Sequence, residues 1–483
     1  MQDVIPHWLT RQADISPNKT AVELSDGTTV SFKRLKEESQ QYARKLASIG
    51  VGKNCHVGIL SSNALSMVIA IHGISYLGAV AVLLNTKLSN NELRYQVNDA
   101  DVSVILTNDD MKDKGAALDV PAVKAFSEVN KLEEKPVQLN MEISLNDPFT
   151  IMYTSGTTGF PKGVIHTYGN HWWSAIGSLL NLGLSEKDKW LAALPVFHVS
   201  GLSILIRSVV YGMPVYLLGK FEAETVQEAI MKQGVTIVSA VTVMLQQLVD
   251  RLGEHRYPAA FRCILLGGGP VPKVLLKKAK EKNVPVIQSF GMTETASQII
   301  TLSASNAFKK LGSAGKPLFP AQLKINNAGE DGVGEILVKG PMVTTGYYKK
   351  EEENLKAFKD GWLATGDLGY TDGEGFLYVV DRRKDLIISG GENVYPSEIE
   401  SVLTGMQGVK EAGVTGKDDP KWGKVPAAFI VRENDKLTEA EVRQYANTKL
   451  AGYKVPAKVY FVDELPRNAS NKLVRDRLWK LLQ

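Results

Sequence analysis

Apolar positions along this chain follow two alternating rhythms. Residues 32–49 and 64–77 place apolar side chains three and four apart, the spacing of a helix with a buried face. Around them lie short unbroken runs rich in Val, Ile and Leu, at 55–60, 79–84, 102–107, 215–218, 237–240, 263–266 and 286–288. Such runs, without polar alternation, read as strands buried on both faces. The pattern predicts an α/β fold of helices packed on mainly parallel sheets.

Past about residue 332 the rhythm changes to short strands, at 334–339 and 376–380, around the turn Asp372-Gly373-Glu374-Gly375. Beyond Lys384 come a helix at 397–403, strands at 412–415 and 427–432, a helix at 439–449 and a basic tail. A chain of 483 residues is too long for one core. We expect a large domain at 1–380 that ends in a small strand subdomain, a connection at 381–384, and a small α+β domain at 385–483.

Composition changes this picture little. The apolar fraction of 44% and charged fraction of 22% are those of a soluble globular protein. A net charge of +4 argues against a nucleic-acid partner. Cys55 and Cys263 both flank strand-like runs and read as buried free thiols in a reducing cytoplasm. The N-terminal residues lack a signal-peptide pattern, and no apolar run reaches the length of a membrane span. A cytoplasmic protein without membrane insertion is expected; a homo-oligomer is left open.

The chemistry concentrates first in Tyr153-Thr154-Ser155-Gly156-Thr157-Thr158-Gly159-Phe160-Pro161-Lys162-Gly163. Glycines let backbone N–H groups turn toward an anion, hydroxyls donate to phosphate oxygens, and Lys162 adds a point charge. The spacing is not that of the common P-loop, which needs two glycines separated by four residues and then Lys-Ser or Lys-Thr.

This loop resembles the nucleotide-binding signature of the adenylate-forming superfamily of acyl-CoA synthetases, adenylation domains and luciferases. Further runs match that superfamily in order. They are Leu194-Pro195-Val196-Phe197-His198-Val199-Ser200-Gly201, then Ser289-Phe290-Gly291-Met292-Thr293-Glu294-Thr295, then Trp362-Leu363-Ala364-Thr365-Gly366-Asp367. Asp381-Arg382-Arg383-Lys384-Asp385 follows, with Gly390-Gly391-Glu392-Asn393-Val394-Tyr395-Pro396, and Leu465-Pro466-Arg467-Asn468-Ala469-Ser470-Asn471-Lys472 comes last.

The resemblance implies ATP, Mg²⁺ and coenzyme A as the small-molecule partners, together with a carboxylic acid. It implies acyl-AMP formation with loss of pyrophosphate, then thioester formation with loss of AMP. Thr154, Ser155, Gly156, Thr157, Thr158, Gly159 and Lys162 would hold the phosphates. Phe160 stands where the family often has a second lysine. Gly267, Gly268 and Gly269, with Phe290, Gly291 and Met292, would border the adenine, and Thr293 would donate to the α-phosphate. Asp367 would accept from the ribose hydroxyls, and Arg382 would bind ribose or α-phosphate. Glu294 is the expected Mg²⁺ carboxylate, His198 the gate at the acyl carboxylate, and Lys472 the catalytic lysine of adenylation. Gly390 and Gly391 would line a pantetheine tunnel, with Lys384 as the hinge on which the small domain rotates. Lys454, Lys458, Arg467 and Arg475 are candidates for the phosphates of coenzyme A.

Within the superfamily, the runs at 81–89, 264–270, 297–303, 311–318 and 389–396 look most like the o-succinylbenzoate–CoA ligases of menaquinone biosynthesis. A medium-chain fatty acyl- or aryl-CoA ligase is the alternative. Arg207 sharpens the choice. It interrupts the apolar run 201–212, and a buried guanidinium needs an anionic partner or a route to water. That partner is either a structural carboxylate or the second carboxylate of a diacid substrate. In the second reading Gln298, Thr301 and Ser303 complete the polar end of the acyl pocket.

Overall fold

The computed structural model describes residues 3–154, 160–268, 271, 273–328, 332–381, 385, 387–394, 396–433, 436–466, 473 and 475–482. It forms two compact units. The first comprises residues 1–86, 97–152 and 163–381; the second comprises 87–96, 153–162 and 382–483.

Among the described residues, two large sheets organise the first unit. One has seven strands and includes the parallel run His56–Leu60, Val80–Leu84 and Val104–Thr107. Val80–Leu84 is buried at every position, as a strand covered on both faces must be. The other has nine strands, with Trp190–Ala192, Ile237–Ala240, Cys263–Leu266 and Val286–Met292 in parallel register. An antiparallel sheet formed by Gln322–Asn326, Gly334–Lys339, Phe358–Lys359, Trp362–Thr371 and Leu377–Asp381 completes the unit.

Local chemistry explains the helices. Phe32–Ser48 begins where Ser31 Oγ accepts from the Arg34 amide at 3.2 Å, an N-cap. It buries Phe32, Leu35, Ser39, Tyr42, Ala43, Leu46 and Ala47, a single stripe. Leu65–Tyr76 is buried on nearly every side. Gly73 lets it approach the first helix, since a Cβ there would lie 3.2 Å from the Ser39 carbonyl. Among the described residues no helix is long and apolar enough to cross a membrane.

The second unit is α+β. Its sheet joins Glu392–Val394, Ile387–Ser389, Gly423–Arg432 and Val409–Asp419, with Lys458–Phe461 added in parallel. The helices Pro396–Thr404 and Glu439–Lys449 contribute Ile399, Leu403, Val442 and Ala446 to its core. Thr438 and Glu441 cap the latter reciprocally, at 2.9 and 3.3 Å.

Several expectations need correcting. The strand expected at 286–288 runs on to Met292, so Phe290 and Gly291 sit within a β ladder. The strands expected at 412–415 and 427–432 form one long hairpin, Val409–Asp419 with Gly423–Arg432. Their polar ends carried no apolar signal, and cross-strand pairing extended them. Cys263 is buried, but Cys55 is only half-buried, because it lies at a turn before its strand rather than within it.

Candidate active site

The strand Pro148–Thr154 delivers Thr154, and its sheet neighbour Lys162–Thr167 begins at Lys162. Ser155, Gly156, Thr157, Thr158 and Gly159 lie outside the described residues, as do Gly269, Arg382, Lys384 and Lys472. Phe160 is exposed and leans on Tyr95, ring centroids 5.5 Å apart.

Thr293, Glu294 and Thr295 form a single 3₁₀ turn after the strand Val286–Met292. Gly291 is required there, because a Cβ would collide with the Ser297 carbonyl. Glu294 is buried, and the Tyr347 hydroxyl donates to its Oε1 at 3.0 Å. Its carbonyl accepts from the Thr344 amide at 2.8 Å. The Thr293 carbonyl accepts from His166 Nε2 at 2.6 Å. Burial lowers His166 to about 4, so its ring is neutral at pH 7. A carbonyl only accepts, so the proton sits on Nε2 and Nδ1 accepts from the Thr150 hydroxyl at 3.2 Å. Thr150 Oγ1 in turn accepts from His171 Nε2 at 2.9 Å. Neither Tyr347 nor this histidine chain carried a sequence signal, since Tyr347 meets Glu294 53 residues away and His166 meets Thr293 127 residues away.

Phe290 is buried in an apolar cluster with Ile299, Ile300 and Leu377. Gly267 and Gly268 follow the strand Cys263–Leu266, and Gly268 adopts φ +86°, a conformation that suits glycine. Met292 is half-buried at the strand end. Asp367 is buried within the strand Trp362–Thr371, its amide donating to Thr365 Oγ1 at 3.1 Å.

His198 is the half-buried residue that opens the helix Val199–Tyr211. The loop before it is held by Asn63, which the motifs did not flag. Asn63 Nδ2 donates to the Leu194 and Leu218 carbonyls at 3.0 and 3.1 Å, and its Oδ1 accepts from the Val196 amide at 2.8 Å. Gly201 permits this loop, since a Cβ would strike the Pro195 carbonyl.

Arg207, on the same helix, is 1% exposed. Its Nη2 donates to Ser297 Oγ and Gln298 Oε1, both at 3.1 Å, and its guanidinium lies 5.0 Å from the Trp190 ring centroid. Its Nε has no partner among the described residues, and no described carboxylate forms an ion pair with it. Gln298 also donates to Ser178 Oγ at 3.2 Å. The Thr301 hydroxyl is buried without a partner among the described residues. Ser303 lies instead in a loop cluster with Ser305 and Asn306.

In the second unit, Gly390 and Gly391 form the turn between Ile387–Ser389 and Glu392–Val394, and a Cβ on Gly390 would lie 2.6 Å from the Trp422 ring. The cations considered for coenzyme A are mostly engaged with carboxylates of that unit. Lys454 is buried between Glu398 and Glu92, at 2.7 and 2.8 Å. Arg475 pairs with Glu400 and Asp385, at 2.6 and 2.9 Å, and Lys458 with Glu439 at 2.9 Å. Arg467 lies outside the described residues. A count of basic residues cannot reveal such pairs.

Comparison with known proteins bears on this arrangement. The 2-succinylbenzoate–CoA ligase of Oceanobacillus iheyensis is 56% identical over 99% of this chain and 100% of that protein. An o-succinylbenzoate CoA synthetase double mutant from Bacillus subtilis, bound to the product analogue OSB-NCoA, superposes with TM-score 0.95 at 47% identity, covering 99% and 98% of the two chains. The Bacillus subtilis enzyme bound to the acyl-adenylate OSB-AMP matches with TM-score 0.77 at 47% identity, covering 98% of each chain. Its complex with ATP and magnesium matches with TM-score 0.75 at 46% identity, covering 99% and 100%. Family models for the AMP-binding enzyme and for its C-terminal domain match residues 9–348 and 398–472. The chain belongs to the AMP-binding enzyme family.

Proposed function

We propose that this chain is an AMP-forming acid–CoA ligase whose acid is 2-succinylbenzoate, acting in menaquinone biosynthesis. The substrate carboxylate attacks the α-phosphorus of ATP, forming acyl-AMP and releasing pyrophosphate. The thiol of coenzyme A then attacks the acyl carbonyl, forming the thioester and releasing AMP. Full-length identity to ligases of this acid supports both the reaction and the substrate.

The residues divide the work by chemistry. Thr154, Lys162 and the loop between them hold the phosphates, and Thr293 donates to the α-phosphate. Asp367 takes the ribose. Lys472 neutralises charge where carboxylate and phosphate meet, the kind of preorganised stabilisation that speeds such steps most. Glu294 fits Mg²⁺, a hard ion that takes one or two protein carboxylates and fills its shell with water and phosphate oxygens. When bound, the ion neutralises phosphate charge.

The observation that carries the acid assignment is Arg207. A guanidinium stays charged even when buried, and here amide and hydroxyl groups surround it without a described carboxylate. A second substrate carboxylate would complete that environment through a charge-assisted pair. Arg207 lies nine residues past His198, a rise of about 13 Å along the helix. Long side chains on a helix lean back toward its N-terminus, which would shorten that separation toward the span of a diacid whose other carboxylate is activated near His198.

A panel of acids with ATP, Mg²⁺ and coenzyme A, read by mass spectrometry for thioester and AMP, tests the proposal. Turnover of 2-succinylbenzoate well above that of medium-chain fatty acids or benzoates is expected. Preference for a monocarboxylate would reject it.

A further inference from the structure

We propose that Tyr347 is a positioning residue that sets the carboxylate of Glu294 for Mg²⁺·ATP, an inference that rests on reading Glu294 as the Mg²⁺ carboxylate. The Tyr347 hydroxyl donates to Glu294 Oε1 at 3.0 Å. A neutral hydroxyl fixes the rotamer of a carboxylate without neutralising it. Carboxylates that ligate metals are commonly oriented in this way by an outer partner.

The strand that carries Tyr347 is held at several points. Gly346–Tyr347 pairs antiparallel with Val164 and Ile165, on the strand that follows the phosphate loop. The Tyr348 amide donates to the Gly163 carbonyl at 2.8 Å, and Thr344 Oγ1 donates to the Ile165 carbonyl. Asn354 clamps the Tyr347 backbone from the other side, accepting from its amide at 2.7 Å and donating to its carbonyl at 3.1 Å. Gly346 adopts φ +146° against Asn354, where a Cβ would lie 2.9 Å from Oδ1. The Thr344 amide meanwhile holds the Glu294 carbonyl at 2.8 Å. One short segment thus ties the phosphate-loop strand to both the backbone and the side chain of Glu294. The Tyr347 ring is buried beside Phe358, centroids 6.3 Å apart, so the hydroxyl has little freedom to swing away.

The test is calorimetric titration of ATP into enzyme without acid or coenzyme A, with and without Mg²⁺. The variants are Tyr347→Phe, Glu294→Gln and the pair together. Tyr347→Phe keeps the ring and should leave the melting temperature unchanged. It should weaken Mg²⁺-dependent ATP binding about 10-fold, the usual effect of losing an outer-shell partner, and leave Mg²⁺-free binding unaltered. In the Glu294→Gln background it should add nothing. Asn354→Ala, which loosens the strand, should shift Mg²⁺ dependence in the same direction. Unchanged Mg²⁺ dependence in Tyr347→Phe, with a clear shift in Glu294→Gln, would overturn the role of Tyr347 alone. Equal weakening with and without Mg²⁺ would reduce Tyr347 to a packing residue. No shift in Glu294→Gln would overturn the reading of Glu294 itself.

Discussion

The guanidinium of Arg207 stacks over the indole of Trp190 at 5.0 Å, in the interior of the first unit. The indole is itself anchored, its Nε1 donating to Ser239 Oγ at 3.0 Å. A cation over a desolvated ring gains on the order of 2 kcal/mol. That is less than the cost of burying an unpaired charge. The imbalance is what an anionic ligand would relieve.

Arg207→Gln should therefore raise the KM for 2-succinylbenzoate roughly 10- to 100-fold, the worth of a charge-assisted hydrogen bond. The KM for ATP should hardly move. Removing a buried charge that has no carboxylate partner among the described residues should not lower the melting temperature. A monocarboxylate analogue is the control. Equal loss for both acids, or a clear drop in thermal stability, would mark Arg207 as structural.

Lys472→Ala should separate the two half-reactions. Adenylate formation, followed by pyrophosphate release, should fall about 100-fold or more, since it loses a charge at the reacting oxygens. Thioester formation from supplied acyl-AMP should persist. Parallel losses in both assays would count against a lysine dedicated to adenylation.

Buried histidines should make the fold acid-sensitive. Burial lowers His7 to about 3, and His72 and His166 to about 4, from an ordinary value of 6.5. The unfolded chain therefore takes up protons first as pH falls. Their contribution to stability is complete above about pH 6.5 and is lost on the way down to about pH 4 for His72 and His166, and to about pH 3 for His7. Each group is worth up to roughly 3 kcal/mol over that window. The melting temperature, followed from pH 7.5 to 4.5, should fall steeply below 6.5; a flat profile would contradict the neutral buried state.

The two thiols should differ in reactivity. Burial pushes Cys263 up to about 12, leaving almost no thiolate at neutral pH. Cys55 is half-buried at a turn. Brief maleimide treatment of native enzyme should label Cys55 and spare Cys263, by peptide mass mapping. Comparable labelling of both would show that the core around Cys263 opens readily.

Much of this protein is written locally. Unbroken apolar runs such as 80–84 and 263–266 became buried parallel strands, because a strand covered on both faces has no polar side to show. The helix after Ser31 was legible from its apolar spacing. The glycine-rich loops and the Thr293-Glu294 pair were legible through their resemblance to the adenylate-forming motifs, because each motif is a contiguous run of residues. Pairings across sequence distance were not legible. Tyr347 meets Glu294 53 residues away, and Lys454 meets Glu398 56 residues away. Hydrogen bonds and ion pairs of this kind have no period and no composition; they exist only once sheets and helices bring their side chains within 3 Å. Arg207 shows both sides of the matter. Its apolar surroundings in sequence demanded a partner, and only the tertiary structure surrounded it with Trp190, Ser297 and Gln298 rather than with a carboxylate among the described residues.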